Sequence, residues 1–136
     1  MSQKTISFIQ PSRNNLKYLE WSYNSIRKNL GYRHEIVFGD DFSDDGTWKW
    51  LQSIKEKDPN VQIFRNKGPE RKGIVYWYDF LCEKASNDIV MFFHADMYAC
   101  PDMDDEILRK LERGKVVSAT RIEPPLHPTG PEKIVK

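Results

Sequence analysis

Four carboxylates, a hydroxyl and a glycine stand within seven consecutive residues, Asp40-Asp41-Phe42-Ser43-Asp44-Asp45-Gly46, with Thr47 next. The run separates an apolar stretch, Ile36-Val37-Phe38, from a helical pattern that opens near Thr47. Unpaired buried carboxylates cost too much to serve packing. Acids after a strand therefore point to a polar ligand or cation at the strand's carboxyl end, where α/β folds bind. A second such place is His94-Ala95-Asp96, after the apolar run Ile89 to Phe93. Two further segments follow apolar stretches: Pro11-Ser12-Arg13-Asn14 and Asn66-Lys67-Gly68, the latter with Arg71 and Lys72 close behind. Acids that would hold a cation, beside bases that would meet phosphate, suit a phosphorylated ligand. Mg2+ or Mn2+ bound through one or two carboxylates plus substrate phosphates has this donor pattern.

These residues converge only if the elements between them form a parallel sheet. Strands are expected at Lys4 to Gln10, His34 to Phe38, Val61 to Phe64, Ile89 to Phe93 and Val116 to Thr120. The fourth is continuous in its hydrophobicity, as a strand buried on both faces is. Between Asn15 and Leu30, apolar residues at Leu16, Leu19, Tyr23, Ile26 and Leu30 mark one helix face, and Gly31 ends the pattern. Helices are also expected at Thr47 to Lys57, Gly73 to Ala85 and Met103 to Leu111. Alternating strands and helices predict an α/β fold, a three-layer α/β/α sandwich around a mostly parallel twisted sheet.

The 136 residues suit one domain, with 39% hydrophobic and 12% aromatic content. A net charge of +1 leaves no electrostatic footprint for nucleic acid or an anionic membrane. No apolar run approaches the ~20 residues of a spanning helix, so no transmembrane segment is expected. Cys82 and Cys100 match no metal or redox spacing. Reduced thiols and a cytoplasmic location are the corresponding expectation. Pro124, Pro125, Pro128 and Pro131 crowd the end of the chain. The expected division is a binding domain over 1–122 and a proline-rich tail over 123–136.

In this order the segments resemble the family 2 glycosyltransferases and their nucleotide-sugar-binding half, a Rossmann-like unit of GT-A fold. The opening strand and Pro-Ser/Thr-x-Asn turn of that family correspond to Ile6 through Asn14. The family's Asp-Asp-x-Ser-x-Asp-Gly-Thr signature is matched throughout by Asp40 to Thr47, and its Asp-x-Asp element corresponds to His94-Ala95-Asp96, ahead of Pro101. The resemblance implies an inverting transfer from a nucleotide-diphosphate sugar, typically a UDP-sugar, to an acceptor that is a saccharide, lipid or protein. It implies that Asp41 accepts a hydrogen bond from the base and that Pro11 and Ser12 line the base pocket. It also places Asp40 near the ribose or in support of the loop, Arg71 or Lys72 near the phosphates, and Ala95 within the site. Asp96 would ligate the metal, Mn2+ or Mg2+, and His94 stands where the family's first acid is customary. An imidazole there would favour Mn2+. The family's catalytic base lies well downstream of the metal-binding acid, and no later Glu-Asp pair follows here. The donor half is expected and the acceptor half is not; no catalytic base is identified.

Other readings apply to the same residues. Ser43 or Asp44 would cap the helix that follows. The Asp41-x-Ser43-x-Asp45-Gly46 spacing imitates an EF-hand loop, but Gln52 occupies the position of its closing Glu. His94 would equally serve as a strand-end residue bonded to backbone. Trp48, Trp50, Trp77 and Tyr78 read as packing rather than sugar-stacking platforms, and His34 and His127 receive no role. A phosphoacceptor receiver-like signalling domain shares the length and parallel pattern, but its acidic pair follows the first strand, where this chain has Gln10-Pro11-Ser12. A nucleotide-binding module without transferase activity is the third reading.

Overall fold

The computed structural model describes residues 4–119. Eight elements alternate: β1 (Ile6–Ser12), α1 (Leu16–Asn29), β2 (Glu35–Asp41), α2 (Thr47–Lys57), β3 (Val61–Asn66), α3 (Ile74–Lys84), β4 (Ile89–Phe92) and α4 (Met103–Lys110). The four strands form one parallel sheet in the order β3-β2-β1-β4. β1 lies at its centre with all seven residues buried.

Side chains alternate across that sheet, and the two faces take different partners. Ile9 and Val37 are paired in register and pack with Trp77 and Leu81 of α3. Phe8, Gln10, Ile36 and Phe38 fall on the other parity. There Gln10 Nε2 donates to Ser22 Oγ of α1 at 2.8 Å, and Phe38 meets Tyr23 of α1 and Trp50 of α2. The expected layering of helices on both faces is present. Burial of Leu19, Ser22, Ser25 and Ile26 orients α1. Asp58, just past α2, receives the Tyr23 hydroxyl at 2.8 Å and Arg27 Nε at 2.7 Å.

Four expectations need correction. β1 and β2 run further than their apolar cores suggest, so Ser12, Asp40 and Asp41 are strand residues whose backbone continues the ladder. Among the described residues β4 pairs on one side alone, with Phe92 61% exposed, and is not a strand buried on both faces. Continuous hydrophobicity does not distinguish these cases when only one neighbour is paired. Residues 116–119 form no strand and Val116 is 96% exposed; β propensity without a pairing partner makes no ladder. α1 closes with Leu30 extended and bonded to the Ile26 carbonyl, and the Gly31 N–H goes to Asp104 instead of a left-handed helix cap.

The chain divides into two compact units, one through Asp105 and one from Glu106. The sheet and α1 to α3 belong to the first. In the second, Glu106 pairs with Arg109 at 2.6 Å on the exposed surface, where such pairs contribute little. The division expected at 122/123, and the proline-rich tail, lie outside the described residues.

Candidate functional site

The register brings the chemistry-bearing residues to one edge. Pro11 pairs with Gly39, Ser12 with Asp40, and Asp40 and Asp41 with Arg65 and Asn66. β4 adds the turn that follows Phe92, with Phe93 N–H bonded to the Ile9 carbonyl. All these are carboxyl ends of parallel strands, the side on which open α/β sheets bind ligands.

Two loops are sewn together beside this edge. Asn14 donates its backbone N–H to Ser43 Oγ at 2.9 Å, and its side-chain oxygen accepts the Asp44 N–H at 2.9 Å. Asp45 accepts the Leu16 N–H at 3.0 Å and the Thr47 N–H at 3.1 Å, so one carboxylate serves the starts of both α1 and α2. Ser43 and Asp44 therefore do not cap α2: Gly46 is its N-cap residue, without a side-chain cap, and the Thr47 N–H goes to Asp45 instead. Burial raises the Asp45 carboxyl, but the bonds from Thr47 and Leu16 outweigh it and hold it below the usual range.

Asp41 is 6% exposed and anchors a third loop. Its Oδ1 accepts the Lys72 N–H at 2.9 Å and Asn66 Nδ2 at 2.8 Å, and its Oδ2 accepts the Gly73 N–H at 3.0 Å. Burial pushes this carboxyl up, and the Lys72, Asn66 and Gly73 bonds more than offset it, leaving Asp41 below the usual range. An ionised carboxylate has about four acceptor positions. Three are engaged by these bonds, and the Trp77 side chain also lies close enough to lower this carboxyl. Gly39, two residues earlier on the same face, lies against Trp77, whose ring would overlap any Cβ added there.

Asp40 points the other way and is fully buried. Neither carboxylate oxygen makes a well-formed hydrogen bond; the Ser43 hydroxyl and N–H lie close, and Arg65 Nε stands 3.6 Å from Oδ2. Burial pushes the Asp40 carboxyl up, against the pull of Ser43 and Arg65. Its register neighbour Ser12 is also buried with an unpartnered Oγ. Buried polar atoms without partners are uncommon in folded proteins.

The His94-Ala95-Asp96 turn has Ala95 buried and both flanking side chains exposed. The His94 carbonyl accepts Gln10 Nε2 at 3.3 Å and the Met97 N–H at 3.1 Å, and its Nδ1 lies 2.8 Å from the Tyr78 hydroxyl. Burial, with the Asp96 carboxylate second, pushes the Tyr78 phenol up to about 12. Asp96 makes no hydrogen bond or ion pair among the described residues, so its carboxylate is free to ligate. No group of three or more His, Cys, Asp or Glu stands together among the described residues. The donor set thus fits a cation completed by ligand phosphates and not an all-protein cage, and it excludes an EF-hand reading of Asp41 to Gln52.

Arg71 and Lys72 are exposed at the start of α3, and Lys72 Nζ lies over the Tyr76 ring. Trp77 is core, and Trp50 packs between Tyr23 and Phe38. His34, which sequence gave no role, is fully buried: its Nδ1 accepts the Ile6 N–H at 3.0 Å, so Nε2 carries a proton to Asp104 Oδ2 at 2.7 Å. The pair is far apart in sequence, and no local pattern announces it. Both cysteines are free. No helix among the described residues is long and apolar enough to cross a membrane.

The chain is similar to known proteins along most of its length. It is 29% identical over 114 residues to a dolichol-phosphate mannosyltransferase of Pyrococcus furiosus, a match covering 83% of this chain and 32% of the relative. Among solved structures, the Pyrobaculum calidifontis mannosyltransferase PcManGT, in complex with GDP-Man and Mn2+, superposes with a TM-score of 0.67 at 21% identity, over 80% of this chain and 32% of that one. S. aureus TarS 1-349 with UDP-GlcNAc gives a TM-score of 0.67 at 22% identity, over 77% and 30%. These likenesses establish a GT-A glycosyltransferase fold, and the chain spans about a third of the length of the relatives it matches. The profile of glycosyl transferase family 2 matches residues 7–132, and the chain belongs to that family.

Proposed function

We propose that this chain is the donor-binding portion of a hexosyltransferase that takes a nucleotide-diphosphate sugar, in the first instance a UDP-sugar, with Mn2+ or Mg2+. One observation carries the reading: the Asp41 carboxylate, the buried and poorly satisfied Ser12 and Asp40 oxygens and the exposed Asp96 carboxylate lie at the carboxyl ends of neighbouring strands. Family membership and the nucleotide sugars bound by PcManGT and TarS support it.

In this reading Asp41 Oδ2 takes a base N–H, and Pro11 and Ser12 flank the base. Asp40 meets ribose hydroxyls. Ala95 keeps the turn narrow so that the donor can lie close to the chain. Arg71 and Lys72 contact phosphate, and Asp96, with His94 beside it, holds the cation. A cation held by Asp96 would supply Lewis-acid stabilisation of charge on the departing diphosphate. Transfer proceeds with inversion. An acceptor hydroxyl oxygen bonds to the anomeric carbon from the far face, and the bond to the diphosphate oxygen breaks with its electron pair leaving on the nucleotide. The base that removes the hydroxyl proton and the site for the saccharide, lipid or protein acceptor are not assigned to this chain.

The test is a thermal-shift titration with UDP, GDP and CDP, each with Mn2+, Mg2+ or chelator. A ligand at a hundred times its Kd stabilises the folded state by about 2.7 kcal/mol. A metal-dependent rise with one nucleotide, reduced in Asp41→Ala and abolished in Asp96→Ala, is the expected result. No rise with any nucleotide, or equal rises in both variants, would overturn the assignment.

A further inference from the structure

We infer that Tyr78 is a positioning residue, its phenolic O–H donating to Nδ1 of His94 so that Nε2–H of His94 faces the donor's diphosphate as a hydrogen-bond donor. The inference rests on the proposed donor site and refines it: the imidazole serves the phosphates, and the cation falls to Asp96.

The geometry leaves little choice of partner. Tyr78 Oη lies 2.8 Å from His94 Nδ1, and no other acceptor stands within bonding distance of this hydroxyl among the described residues. The two rings meet edge to face at 5.7 Å, and Tyr78 is itself stacked on Phe92 at 4.7 Å with an interplanar angle of 13°. Tyr78 is therefore held from behind by the last residue of β4, and it holds His94 from α3. The His94 main chain is fixed separately by Gln10 Nε2 and the Met97 N–H on its carbonyl. Only the ring rotation and tautomer of His94 are left to Tyr78.

A phenol brings one proton and a neutral imidazole one N–H. With Nδ1 accepting, the imidazole proton resides on Nε2, which then has no lone pair for a metal. An N–H donor two positions from Asp96 suits an anionic oxygen of the donor's diphosphate. Charge-assisted bonds of this kind are among the stronger polar contacts.

The experiment uses the full chain labelled with 15N-histidine, observed by long-range 1H–15N NMR at about pH 8, above the ordinary imidazole range. His94 is assigned by the resonances lost in His94→Gln. The expected spectrum has an unprotonated Nδ1 and a protonated Nε2, and Tyr78→Phe gives a tautomer mixture. A proton on Nδ1, or a spectrum unchanged in Tyr78→Phe, would overturn the inference.

Calorimetry with UDP and GDP in Mg2+ supplies the second readout. Tyr78→Phe is expected to weaken nucleotide affinity about tenfold, the order of one bond to a charged group. His94→Gln, which removes the oriented N–H, is expected to weaken affinity by a similar factor and to make Tyr78→Phe silent in that background. Equal losses in both backgrounds would show that Tyr78 acts only through packing. Absence of nucleotide binding in the unsubstituted chain would sink the proposed function and the phosphate contact, while the NMR result would still decide the tautomer.

Discussion

Asp41 Oδ2 accepts the backbone N–H of Gly73 across 32 positions of sequence, at 3.0 Å. With the Lys72 N–H and Asn66 Nδ2 on the other oxygen, this one carboxylate ties the end of β2 to the end of β3 and the start of α3. The residue proposed to read a base is thus also the clasp that joins these loops.

Asp41→Asn turns one acceptor into a donor facing an N–H. A loss of about 2 kcal/mol is expected, since each bond to a charged group contributes about 1.5–3 kcal/mol and the three are not additive. The folded Asp41 carboxyl lies below its ordinary range. Its stabilisation is therefore present above the unfolded value of about 3.9 and is lost as pH falls through the lower folded value. Urea denaturation from neutral pH down to about pH 3 should show a shallower acid loss in Asp41→Asn than in the parent. Parallel curves would refute the clasp.

Asp40→Asn has the opposite sign. Burial raises this carboxyl, so its ionisation in the folded state costs stability as pH climbs from the unfolded value through the folded one. Neutralising it should stabilise the protein at pH 7 by about 1 kcal/mol, the order found when a poorly compensated buried charge is removed. The same variant should bind nucleotide more weakly if Asp40 meets the ribose. A lower melting temperature with unchanged binding would contradict both parts.

Asp104→Ala removes the acceptor of His34 Nε2–H and of the Gly31 N–H in a fully buried place. Leaving these donors unpaired should cost about 3 kcal/mol. The fall would appear in chemical denaturation as a lower midpoint with an unchanged slope. A midpoint within error of the parent would mean that the pair is not under structural demand.

Gly39→Ala places a methyl group into the Trp77 ring. Overpacking of this kind costs about 1–3 kcal/mol, and the displaced indole sits directly beside Asp41. Tryptophan fluorescence should shift and nucleotide affinity should fall together. Retained affinity with a shifted spectrum would separate the packing of Trp77 from the geometry of the site.

Much of this was legible in the chain itself. The 3-4 spacing from Leu16 to Leu30 and the alternation of apolar runs with helical patterns determined the α/β class, because periodicity reports which face each element buries. The Asp40 to Thr47 run and the His94 to Asp96 turn were legible as candidate site residues because carboxylates after a strand need polar partners; for Asp41 and Asp45 those partners include loop N–H groups. Tertiary structure decided the rest. That Asp45 reaches the start of α1, that Asp41 is engaged by two backbone N–H groups and the Asn66 amide, and that Tyr78 stands behind His94 all depend on contacts between segments far apart in sequence. Among the described residues β4 pairs on one side alone and residues 116–119 form no strand for the same reason. A residue's type states which bonds it can make, but only the packed neighbours determine which of them it does make.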